Sequence, residues 1–251
     1  METRSISNYI KNERGSGTVI IMIGLVLAAI FLALMFFDLS NVFINKRVTQ
    51  TGADAAALAA AQTANKHMRE DLKTETQKKL DELGERWEEF LEDALEAISE
   101  GSGEDGDEED SEDPPTTEEI LEEFVEMVEA ELGKPMPGDI KAWLLDHSVK
   151  VKAETAMKFF FEDNEVSDMA CSSVINHWDK AKQKAESYAK KNQNDELTQI
   201  RFIPEDFRVF VETERKGKYT TVSDDDVPAV TSESSVKIGE PKGYEDKISC
   251  D

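Results

Sequence analysis

The sequence predicts an α+β protein: one N-terminal transmembrane helix continuing into a long helical stalk, then a mixed α+β extracytoplasmic domain. Three observations carry that expectation. Thr18–Phe37 is an uncharged apolar run. Apolar residues then recur at helical spacing as far as Ile98. The C-terminal half mixes capped amphipathic segments with short β-like runs.

The first element is the span. TVIIMIGLVLAAIFLALMFF is about 30 Å long as a helix, the thickness of a bilayer core. A secretory signal has a shorter apolar region with a small-residue cleavage site close behind it. Here Asp38-Leu39-Ser40-Asn41 follows, and the A-x-A triplets of the block Ala53–Ala61 begin too far downstream. The segment is therefore expected to stay as a single-pass anchor. Arg4, Lys11 and Arg14 precede it and Lys46 and Arg47 follow, a small bias toward an inside N-terminus.

The second element is the stalk at 38–98. Alanine favours helix, and small side chains let helices approach closely. The alanine block therefore reads either as a spacer or as a packing surface for another helix, including a second copy of this chain. Met68, Leu72, Leu80, Leu83, Trp87, Leu91, Leu95 and Ile98 form an amphipathic stripe. Its expected partner is the core of the same chain or a coiled-coil partner.

Residues 99–117 read as an acidic disordered linker, with nine acids between Glu100 and Asp113 and no base. Asp105-x-Asp107-x-Glu109 opens like a calcium loop. Asp110 stands where that loop needs glycine and Thr116 where it needs glutamate, so diffuse cation attraction is expected instead.

The α+β domain is placed at 118–251. Thr116-x-x-Glu119 is a capping box, and Gly133 with Pro135 stops the helix it starts. A short helix is expected at Ile140–His147, capped by Asp139. Val149–Phe161 reads as a strand. Val174, Ile175, Trp178, Ala181, Ala185, Tyr188 and Ala189 mark one more helix. Ile200–Ile203, Phe207–Glu212, Tyr219–Val222 and Val236–Ile238 read as strands.

The chain carries 54 acids against 29 Lys and Arg, a formal charge of −25, which argues against nucleic acid as a partner. His67, His147 and His177 are scattered, and no metal-site spacing, nucleophile elbow or phosphate loop occurs. His177, beside Trp178, reads as a surface or capping residue. No catalytic residue, metal ligand or cofactor is assigned, and the protein is not expected to be an enzyme. Cys171 and Cys250 are a candidate disulfide for an exported domain, worth about 4 kcal/mol by the chain-entropy account. The sequence leaves open whether they meet.

Arg14–Gln62 resembles the N-terminal segment of Tad (tight adherence) pilus-assembly proteins, the TadE/TadG-like group. The resemblance rests on Arg14-Gly15-Ser16, the apolar helix, Asp38-Leu39-Ser40, the basic pair Lys46 and Arg47, Gln50, and Ala53 through Ala61 with Asp54 inside. It implies a cytoplasmic N-terminus at 1–17, a span at 18–37 in the cytoplasmic membrane, and the remainder outside. It also implies a role in building or anchoring Flp-type pili as a minor pseudopilin or anchor. The partners would then be lipid and the helices of pilus-assembly or pseudopilin subunits. Pseudopilin relatives are cut after a glycine, here the Gly15–Ser16 bond. They carry a glutamate five residues into the mature helix, where this chain has Ile20. The acidic linker and the C-terminal portion beyond the resemblance also fit a membrane-tethered surface module for adhesion or cation retention, unrelated to pili.

Overall fold

A computed structural model describes residues 13–101, 114–241, 248 and 250 of the chain. Arg4, Lys11 and the acidic stretch 102–113, including its calcium-like pattern, lie outside the described residues.

The fold is mixed α+β, as the sequence predicts. Helix α1 runs from Glu13 to Gly101. It contains no proline, so nothing removes a backbone donor along its length. Its N-terminal stretch is long and apolar enough to cross a membrane, and the chain itself covers none of it. After α1 come α2 (Thr117–Leu132), α3 (Gly138–Leu145), α4 (Ala153–Phe160), α5 (Asp163–Asn176) and α6 (Trp178–Lys191). Strands β1 (Glu196–Ile203), β2 (Arg208–Arg215) and β3 (Val230–Lys237) form an antiparallel sheet in the order β1-β2-β3.

Two compact units share these elements. One comprises the chain up to Leu58 with 184–201 and 210–235; the other comprises 59–183, 202–209 and 236–251. The second holds the main apolar core. Leu80, Leu83 and Trp87 of α1 pack with Ile120, Phe124 and Val128 of α2, Ile140 and Leu144 of α3, and Phe159 of α4. The Trp87 and Phe124 rings lie 5.3 Å apart. The amphipathic stripe therefore finds its partner in its own chain, because α2–α4 supply the apolar surface that a coiled coil would otherwise provide. The alanine face is also covered within the chain: Ala53, Ala56, Ala57, Ala60 and Ala64 are fully buried.

Several local expectations change. Val149–Phe161 is not a strand but leads into α4, where Ala156, Met157 and Phe159 are buried. The V-x-V-x-A alternation is too short to outweigh the helix formers Ala153, Glu154, Ala156, Met157 and Lys158. Pro137, not Asp139, caps α3, and the helix stops at Leu145. Asp139 instead accepts the Lys152 N–H at 3.1 Å. The single helix expected around Val174–Ala189 is two helices broken at His177, and α5 begins earlier, at Asp163. His177 caps α5, and its Nε2 lies 3.1 Å from Asp71 Oδ2. β3 starts at Val230, well before the expected Val236. Tyr219–Val222 is not a strand.

Candidate membrane-proximal site

Lys46, Gln50 and Asp54 follow one another at four-residue steps along one side of α1, and Asp38 lies about two turns before Lys46. In the structure that side receives the β2–β3 connection and the start of β3. Asp38 accepts from the Thr220 N–H at 2.7 Å, the Thr221 N–H at 2.6 Å and the Thr221 hydroxyl at 2.5 Å. One turn on, Asn41 Nδ2 donates to the Lys218 carbonyl at 3.3 Å. Lys46 Nζ donates to the Thr231 carbonyl at 2.5 Å. Gln50 Nε2 donates to the Glu233 carbonyl at 3.0 Å and to Asp54 Oδ1, also at 3.0 Å.

Five of these seven bonds reach main-chain groups of 218–233; the other two involve the Thr221 hydroxyl and the Asp54 carboxylate. Among the described residues β3 pairs only with β2, and 218–221 belong to no strand, so the helix side chains serve these main-chain groups instead. This is why Tyr219–Val222 departs from strand geometry: the Thr220 and Thr221 amides both turn to Asp38, and the Tyr219 amide donates to Asp224 at 2.7 Å, so none of the three is left for a ladder. Asp38 itself is 7% exposed. The Thr221 hydroxyl, helped by the Thr220 and Thr221 amides, holds its carboxyl below the usual aspartate range against the opposing effect of desolvation. A carboxylate at the end of an apolar span is thereby kept charged and paired.

A second line of contacts runs beside the first. Asn194, in the α6–β1 turn, is buried. Its Nδ2 donates to the Thr49 carbonyl at 3.1 Å and to Thr213 Oγ1 at 2.6 Å, tying α1 to β2. Gly52 makes this possible, because a Cβ there would overlap the Asn194 amide. A glycine interrupting a run of strong helix formers is a sequence signal of close backbone approach. Sequence reasoning passed over Gly52, and it passed over Asn194 and Thr49 as well.

Of the other motif residues, Arg47 lies at a small cleft with Lys191 and Asn192, away from the Asp38–Gln50 line. The Gly15–Ser16 bond lies within the first turn of α1. Cys171 and Cys250 are joined in a disulfide with Cα atoms 5.8 Å apart. Among the described residues, no group of three or more His, Cys, Asp and Glu side chains is arranged to hold a metal ion.

Residues 15–63 match Tad, the TadE/G-like Flp pilus-assembly family. No curated protein and no solved structure matches the chain. The Tad match covers about a fifth of the sequence, and it contains the entire helix side of the contacts above: Asp38, Asn41, Lys46, Thr49, Gln50 and Gly52. The receiving side, 194 and 213–233, lies beyond the Tad segment. The family describes pilus assembly, a structural role rather than an enzymatic one.

Proposed function

We propose that this protein is a membrane-anchored component of Flp/Tad-type pilus assembly, a minor pseudopilin or anchor, that works through helix packing rather than catalysis. The observation that carries the reading is the Tad match on α1, whose polar side chains hold the chain's own sheet at the membrane-proximal end of that helix.

The apolar stretch to Phe37 spans the cytoplasmic membrane with the N-terminus inside, and the folded part stands outside. Asp38, Lys46 and Gln50 fasten a folded unit directly to the helix that leaves the bilayer. A force applied to that unit passes into the span without stretching a flexible joint. This suits a part that seats or initiates a fibre. Neighbouring subunits are expected to meet the exposed side chains of the span, because the alanine face is already filled from within the chain.

The test is deletion of the gene, followed by counting surface pili and measuring adhesion. Loss of both supports the role, and unchanged piliation overturns it. The N-terminal mass from isolated membranes separates the two forms. A chain starting at Ser16 is a processed pseudopilin. A chain retaining its first fifteen residues is a permanent anchor.

A further inference from the structure

We propose that a cleft beside the outer end of the span binds the headgroup of an anionic phospholipid; the inference rests on the membrane reading above. The cleft has a volume of about 670 Å³ and is lined by Lys190, Arg215, Lys216 and Lys218. Its acid is Asp195, whose Oδ2 already accepts the Lys216 N–H at 2.7 Å. The Lys216 ammonium lies 3.9 Å from the exposed Asp225, and Arg215 Nη1 lies 3.4 Å from Gln193 Oε1. The lining therefore stays strongly positive on a chain whose formal charge is −25.

That contrast decides the ligand's sign. An anionic bilayer would repel most of this surface, so a concentration of bases at one depth is where such a lipid gains. The depth is fixed by α1. Phe37, the last residue of the apolar run, and Ile44, two turns on, both line the cleft. They are about 10 Å apart along the helix axis, so the cleft begins where hydrocarbon gives way to headgroups.

Net charge separates the candidate headgroups. A phosphodiester with a glycerol headgroup leaves a net anion for Lys190, Arg215, Lys216 and Lys218. A choline headgroup cancels the phosphate's charge and leaves these bases nothing to pair with.

The experiment uses the full chain in nanodiscs of phosphatidylcholine alone or mixed with phosphatidylglycerol, with retained lipid identified by native mass spectrometry. Insertion into the phosphatidylcholine discs tests the membrane reading by itself. Enrichment of phosphatidylglycerol over phosphatidylcholine on the wild type supports the proposal. Neutralising the exposed lysines in K190Q/K216Q/K218Q should reduce that enrichment by roughly five-fold per charge removed. The control K73Q/K78Q, much further along α1, should leave it unchanged. Should the triple variant fold poorly, K218Q alone is expected to show the single-charge loss. Equal enrichment in wild type and variants overturns the proposal. So does displacement of the lipid by millimolar inorganic phosphate, which would make the cleft a phosphate site.

Discussion

Asp38 holds Thr221 twice, through the threonine's backbone N–H at 2.6 Å and its hydroxyl at 2.5 Å. The two residues are far apart in sequence, yet this pair joins the end of the apolar run to the β2–β3 connection. Only an acceptor with two oxygens can also take the Thr220 N–H. Replacing Asp38 with Asn keeps the shape but turns one acceptor into a donor facing N–H groups. D38N is expected to speed hydrogen exchange at the Thr220 and Thr221 amides while leaving the amides of α2 unchanged. Unchanged exchange at 220–221 would show that the contact does not hold the connection.

The same carboxylate sets a pH dependence. Its pKa is lower in the folded protein than in the unfolded chain. The stabilisation is therefore complete above the unfolded value and is lost as pH falls through the lower, folded one. The connection should be intact at neutral pH and loosen only below about pH 4. Amide chemical shifts of Thr220 and Thr221 followed from pH 7 to 3 should move together in that range, and D38N should abolish the transition.

Gly52 predicts a coupled pair of substitutions. In G52A the new methyl must displace Asn194, which is buried and bonded to both Thr49 and Thr213. The expected cost is about 1–3 kcal/mol, as for other overpacked sites. Adding N194A removes the obstruction, so the double variant should be less unstable than the sum of the two singles. Denaturant midpoints in detergent would read this, and strict additivity would refute the close approach.

Trp87 probes the other unit. Its side chain is 3% exposed and packs on Phe124. W87A is expected to cost about 3–5 kcal/mol through lost burial and the cavity left behind. Denaturant unfolding should show it, and the α1 surface of this unit should become sensitive to protease.

The Cys171–Cys250 bond closes a long loop, with a sequence separation of 79. Its removal in C171S/C250S should cost about 4 kcal/mol on the chain-entropy account. Alkylation of isolated membranes before and after reduction should reveal two thiols only after reduction. Thiols free without reductant would place the folded part in a reducing compartment and contradict the proposed export.

The sequence by itself determined the elements whose signal is local. The span is legible because twenty consecutive uncharged residues satisfy one length requirement. The α1 stripe is legible because its period is maintained over many turns, and the start of α2 because Thr116 and Glu119 cap it within four residues. Lys46 and Gln50 could be placed on one side of a helix, with Asp38 about two turns earlier, from spacing alone. Tertiary structure alone decided what that side faces. Apart from the Thr221 hydroxyl, the groups it meets are main-chain atoms of 218–233, which carry no residue-specific signature. The same limit explains the short elements. Val149–Phe161 sets a brief strand-like alternation against a run of helix formers, and burial of Ala156 and Phe159 in the helical core sides with the helix, giving α4 over Ala153–Phe160. Tyr219–Val222 had the composition of a strand, but its Thr220 and Thr221 amides were claimed by Asp38 and its Tyr219 amide by Asp224. Contacts remote in sequence override propensity where a segment is short, because a few hydrogen bonds and one buried face outweigh the small free energies that separate helix, strand and turn.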